Sequence, residues 1–252
     1  MTRRELFSLA FLGIASWQGA AKKKEGTSLA STATEARLLA RPGAPKEEAR
    51  PGMHELGLGR RRDGVLYVPE GYKADRPAPL AVMLHGAGGS ARRALGPFQK
   101  LADKAGLILL APDSREATWD VIEGGYGPDI AFLDRALELT FSRCAVDPKR
   151  IAAEGFSDGA SYALSVAITN GDLFSHAIAF SPGFMLPKDQ RGKPGIYISH
   201  GKRDQVLSID SCSRKIVPRL RDAGYGVVYR EFDGPHTVPE DIAREALEWF
   251  TK

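Results

Sequence analysis

Only two cysteines, Cys144 and Cys212, occur in the 252 residues. That scarcity excludes a disulfide scaffold and a cysteine-based zinc site, since either needs several thiols at set spacings. An exported chain could still hold one bridge. However, the strand order read below puts Cys144 just before one strand and Cys212 beyond the carboxyl end of another. Those are opposite ends of a parallel sheet, so two unpaired thiols are expected. The chain also lacks an internal repeat and any apolar run of the ~20 residues that a membrane-spanning helix needs. The phosphate-binding pattern G-x-x-x-x-G-K-[ST] is missing, and H-G-A-G-G after a strand makes no G-x-G-x-x-G fingerprint. Nor is there excess charge on the larger part of the chain. The formal net charge of +4 belongs to residues 1–50, which hold nine Lys/Arg against five Asp/Glu, while the other 202 residues hold 26 of each sign. A nucleic-acid-binding face is therefore not expected there.

What is present begins with "MTRRELFSLAFLGIASWQGAA", paired arginines followed by a short apolar run and small residues. This order describes a secretory signal over residues 1–21 and resembles the bacterial twin-arginine kind. It implies export to the periplasm or beyond, the alternative being an N-terminal extension of a cytoplasmic protein. Residues 22–50 turn to Lys, Glu, Ala, Ser, Thr and Pro with hardly a large apolar side chain. Such a stretch buries too little surface to offset its ordering entropy and reads as a flexible linker. Residues 51–252 then form the folded domain, with 43% hydrophobic residues in the whole chain to supply a core.

Within that domain, "MHELGL" and "DGVLYVP" read as an antiparallel pair. "PLAVMLHGAGGS" and "GLILLAPDS" are nearly continuous apolar runs ending in turns, as strands buried on both faces should be. Residues 91–105 and 129–141 have helical spacing. "RIAAEG", "SHAIAFSPG", "PGIYISHGKRD" and "GVVYREFDGPH" are further strands, separated by helices over 160–169 and 209–223 and followed by one over "VPEDIAREALEWF". Pro218 interrupts or kinks the second of these. Strands alternating with helices imply a mostly parallel sheet covered on both faces, with active groups at the carboxyl ends of the strands.

Those ends carry the chemistry. An alcohol needs a base, a partner to orient the base, and donors for the oxyanion it generates. Ser157 lies in G-x-S-x-G between a buried strand and a helix, the setting of a nucleophile held on a sharp turn, although a serine can also cap a helix there. His236 follows the last strand and is the candidate base. His85 and His200, each before a glycine, read as loop-shaping, His54 lies near the start, and His176, at the head of an inner strand, reads as structural. Asp204 follows the strand 196–199 and is the candidate acid, with Asp210 its rival in the helical segment beyond. The oxyanion donors expected are the N–H of Asp158 and that of Ala87, with Gly88 next. These groups use up the histidines and carboxylates, so no metal or other cofactor is called for.

The set His85-Gly86-Ala87-Gly88-Gly89, Gly155-Phe156-Ser157-Asp158-Gly159, His200-Gly201-x-x-Asp204 and Gly234-Pro235-His236 resembles the α/β-hydrolase superfamily. It is similar in particular to phospholipase/carboxylesterase-type serine esterases and their polyhydroxybutyrate-depolymerase and feruloyl-esterase relatives. The resemblance covers about residues 53–252. It implies an α/β-hydrolase fold, a Ser157–His236–Asp204 triad, an acyl-enzyme on Ser157 and a small-molecule or polymeric ester as substrate. Many relatives carry Asn, Gln, Ala or Met where this chain has Asp158, an acid that would disfavour anionic acyl groups if it faced the pocket. Candidate walls are Trp119, Tyr126, Phe156, Phe184 and Met185. Inserted segments are short, so no large lid is expected, and an open, shallow site for short-chain or aromatic acyl esters follows. A peptidase on the same fold and a catalytically silent binding module are the competing readings.

Overall fold

The computed structural model describes residues 36–47 and 49–252, so the signal expected over 1–21 lies outside the described residues. Eight strands form one sheet: β1 (Gly52–Glu55), β2 (Gly64–Val68), β3 (Ala78–Leu84), β4 (Ile108–Pro112), β5 (Val146–Phe156), β6 (His176–Phe180), β7 (Gly195–Gly201) and β8 (Val227–Phe232). Their order is β1-β2-β4-β3-β5-β6-β7-β8. β1 pairs antiparallel with β2 and β2 with β4, and every other pair is parallel. β3 and β4 are buried along their whole length, which is why they read as unbroken apolar runs.

Among the described residues, six α-helices cover the sheet: α1 (Ala91–Leu95), α2 (Gln99–Ala105), α3 (Pro128–Arg143), α4 (Asp158–Thr169), α5 (Ser213–Asp222) and α6 (Glu240–Thr251). The period-two alternation of β3 divides the core. Leu80, Val82 and Leu84 pack with α3, α4 and α5, whereas Ala81 and Met83 pack with α1, α2 and α6. The helix expected over 91–105 is broken, because Gly96 and Pro97 start a short 3₁₀ turn between α1 and α2. Pro218 lies inside α5, which begins at Ser213, later than the spacing predicts. Among the described residues no helix is long and apolar enough to cross a membrane. Cys144, just before β5, and Cys212, beyond β7, are both buried and unbridged. Burial pushes their thiols up to about 12 and about 11, so neither is a reactive thiolate at neutral pH.

The linker expected over 22–50 must be corrected over its last part. Ala36 and Leu38 are fully buried. The buried Asn170 accepts the Leu38 N–H at 2.9 Å and donates to the Ala36 carbonyl at 3.0 Å. Asp134 accepts the N–H groups of Leu39 and Ala40 at 2.7 and 2.8 Å. Arg37 grips Asp172 through two bonds of 2.9 and 2.7 Å. Composition misses this arm because its backbone is satisfied by polar side chains of α3 and of the α4 end rather than by a ladder of its own.

Candidate active site

Four strand ends build the site. β5 feeds a turn in which Ser157 has φ 59° and ψ −120°, a conformation costly for any residue but glycine. Its N–H is held by the Phe180 carbonyl at the end of β6, at 2.9 Å. The turn is possible because both neighbouring glycines lack a β-carbon. One on Gly155 would lie 2.2 Å from the Gly159 carbonyl oxygen, and one on Gly159 only 2.0 Å from that of Leu84. The start of α4 is thereby pressed against the end of β3.

Beyond β7, Asp204 turns back on itself, its Oδ1 accepting the N–H groups of Val206 and Leu207 at 2.9 and 2.8 Å. This leaves Oδ2 for His236, whose Nδ1–H donates to it at 2.5 Å. The other ring nitrogen, Nε2, accepts from the Ser157 hydroxyl at 2.9 Å. The loop carrying His236 is fixed to the end of β7 by Lys202 N–H to Phe232 O (2.8 Å) and Arg203 N–H to Gly234 O (3.0 Å). The Phe156 ring packs on the imidazole with centroids 4.6 Å apart. Three residues separated by 79 positions in sequence are thus joined in one hydrogen-bonded line. The rival acid Asp210 stands apart, paired with Arg214 at 2.8 Å.

His200 has a closer relation to this line than its loop-shaping reading implies. Its Nε2 lies 2.8 Å from the Leu207 carbonyl and 3.2 Å from Asp204 Oδ2, so that nitrogen carries the proton. Nδ1 therefore accepts from the Ser213 hydroxyl at 2.7 Å. Burial lowers its pKa, keeping it a neutral donor beside the acid. His85 does shape its loop: Nδ1–H donates to Gly86 O at 2.8 Å while Nε2 accepts from Ser114 N–H at 3.0 Å.

The loop after β3 brings Gly86 against Ser157, since a β-carbon there would sit 3.3 Å from Ser157 Cβ. Among the described residues, the N–H groups of Ala87 and Asp158 have no hydrogen-bond partner. Gly88 is a correction: its N–H is committed to the Ala117 carbonyl at 2.7 Å and is not available to an oxyanion. The Asp158 side chain accepts from the Thr118 hydroxyl at 2.7 Å and lies in the first turn of α4, where a negative charge is favoured by the helix dipole.

Three expected walls are also corrected. Trp119 and Tyr126 face the core. The Trp119 indole stacks on Tyr162 at 4.9 Å and donates to His85 O at 2.8 Å, and the Tyr126 hydroxyl donates to Leu186 O at 2.9 Å. Their loop is folded onto buried Asp129, which accepts the N–H groups of Arg115 and Asp120 at 2.6 and 2.8 Å. Met185 likewise packs inward, whereas Phe156 is half-buried beside His236. Phe184 does face solvent, 36% exposed, joined by Leu186 at 43% and Val206 at 60%, which sequence reasoning missed.

The segment bearing Phe184 and Leu186 has no sheet partner and is held to α4 by hydroxyls. Ser161 Oγ accepts from Gly183 and Phe184 N–H (3.0 and 3.3 Å), Ser165 Oγ from Leu186 (2.8 Å) and Thr169 Oγ1 from Lys188 (3.1 Å). Each hydroxyl donates to the carbonyl four residues earlier in its own helix. The match is geometric: four helical residues advance ~6 Å and two extended residues ~6.6 Å. The signal was available as three hydroxyls at i, i+4, i+8 on an otherwise apolar helix. Ser165→Ala should cost ~1–2 kcal/mol, and hydrogen exchange should show faster exchange confined to 183–188. Unchanged exchange there would show that the hydroxyl does not hold the segment.

No known family model matches the chain. Among curated proteins, feruloyl esterase C of Emericella nidulans is 29% identical over 157 residues, covering 59% of this chain and 57% of that protein. The chain spans about three fifths of the length of the curated relatives it first matches. Among solved structures, esterase PE8 superposes with a TM-score of 0.62 at 22% identity, covering 76% of this chain and 100% of that one. A CE1 ferulic acid esterase from Anaeromyces mucronatus, solved with ferulic acid, gives 0.61 at 16% identity, covering 86% and 97%. With the sheet order above, these likenesses show that the chain has the α/β-hydrolase fold.

Proposed function

We propose that this chain is a serine hydrolase of carboxylic esters, with Ser157 as nucleophile, His236 as base and Asp204 as the group that orients it. The observation that carries the reading is the hydrogen-bonded line Asp204–His236–Ser157 beside two unoccupied backbone donors. Ser157 Oγ attacks the ester carbonyl as His236 Nε2 takes its proton. The tetrahedral oxyanion is received by the N–H groups of Ala87 and Asp158, and His236 then returns the proton to the leaving alkoxide. Water repeats the sequence on the acyl-enzyme. Asp204 fixes the imidazole tautomer and stabilises its charged form.

The curated relatives' printed name supports an aromatic acyl ester as substrate. The leader-like order of residues 1–21 supports a place outside the cytoplasm.

A fluorophosphonate probe should label the full chain, with the added mass mapped to Ser157. Among p-nitrophenyl esters, acetate and butyrate should be hydrolysed faster than palmitate. Absence of labelling, or labelling on another residue, would refute the site, and palmitate turned over best would refute the substrate class.

A further inference from the structure

A cavity of about 660 Å³ lies on the sheet face covered by α1, α2 and α6, and its lining includes Gly86, Ala87, Phe156 and Val238. These residues tie it to the proposed site. Gly86 touches Ser157, Ala87 is an expected oxyanion donor, Phe156 packs on His236, and Val238 lies two residues beyond it. Pro97 and Phe98 add apolar wall.

Glu154 belongs to that lining. It is only 3% exposed, and among the described residues it has no hydrogen-bond or ion-pair partner. An unpaired acid on a central strand is costly and does nothing for packing. Exposed Arg93 and Lys100 line the cavity without bonding to it. We propose that Glu154 is a specificity-determining residue, receiving a hydroxyl at the far end of an aromatic acyl group whose ring occupies this cavity. The inference rests on the esterase reading above and deepens it.

The chemistry matches in three respects. Burial holds the Glu154 carboxyl well above the usual carboxylate range, which favours the protonated form, and a protonated carboxyl can both donate and accept, as a phenolic hydroxyl can. Glu154 precedes Ser157 by three strand residues, a run of ~10 Å, comparable with a short unsaturated linker plus one aromatic ring. An acyl group lacking the hydroxyl would leave the carboxyl dry and unpaired, which is how a buried polar group rejects an apolar analogue.

The test compares methyl 4-hydroxycinnamate with methyl cinnamate on the full chain. The wild type should favour the hydroxylated ester at least tenfold in kcat/KM, and Glu154→Gln should keep that preference within threefold. Glu154→Leu should bring the ratio to near one. Ala94→Phe, which narrows the cavity from α1, should depress both cinnamates together relative to p-nitrophenyl acetate. Fluorophosphonate labelling of Ser157 in each variant reports that the site is folded. A wild-type ratio near one, or a ratio unmoved by Glu154→Leu in labelled protein, overturns the proposal and leaves the esterase reading standing. Lack of labelling in the wild type overturns the reading on which it rests.

Discussion

Ser157→Ala should lower kcat for a short-chain ester by about 10⁶-fold and abolish fluorophosphonate labelling, while Asp204→Asn should lower it by about 10⁴-fold with the fold intact. The second effect follows from how Asp204 is held. Its Oδ1 accepts two backbone N–H groups, from Val206 and Leu207, and an oxygen must stay there. In the asparagine variant the amide NH₂ is therefore forced toward His236. A donor opposite Nδ1 removes the proton from that nitrogen and places it on Nε2, which then faces the Ser157 hydroxyl as a donor rather than a base. The neutral His200 N–H, 3.2 Å from the same position, adds a second clash of donors. Thermal unfolding should show a folded protein. A loss of less than tenfold in kcat would mean that Asp204 does not orient His236.

A related expectation concerns strain. The backbone at Ser157 has φ 59°, and glycine alone tolerates that region without penalty. Ser157→Gly should therefore raise stability by ~1 kcal/mol even as activity vanishes. A residue kept against its own conformational preference is held there for what its side chain does.

The legible part of this molecule is the part governed by local rules. Ser157 could be read because a strand, two glycines and a helix surround it within residues 146–169. Asp204 and His236 could be read because parallel topology brings strand ends together whatever their sequence separation. Trp119 and Tyr126 could not be placed, because a loop has no periodicity to tell inside from outside. Their burial depends on Asp129, which closes that loop through two N–H groups. The arm at 36–40 escaped for a similar reason: Asn170 and Asp134 satisfy its backbone from far along the chain. Glu154 was visible as an acid in an apolar strand, whereas the cavity it lines was not.

Three glycines near Ser157 should respond to alanine in three different ways, and the contrast tests how the turn is built. Gly159→Ala should destabilise by more than ~4 kcal/mol or prevent folding altogether. Its β-carbon would lie 2.0 Å from Leu84 O and 2.6 Å from His85 O, backbone atoms that cannot rotate away. Moving them would part α4 from β3 and open the sheet at its centre. Gly88→Ala meets nothing within 4 Å, so its cost is the positive φ of 65° alone, ~1–2 kcal/mol. Gly86→Ala should be nearly as stable as the wild type, because its nearest neighbours lie 3.3 and 3.4 Å away and need yield only a few tenths of an ångström. The atom that must yield is Ser157 Cβ, so its cost should appear as slower fluorophosphonate labelling rather than as a lower Tm. Denaturant unfolding and labelling rates on the three variants separate these outcomes. If all three lost stability equally, the turn would be failing for glycine's backbone freedom alone, and the close approach of β3 to α4 would not be what holds Ser157 in place.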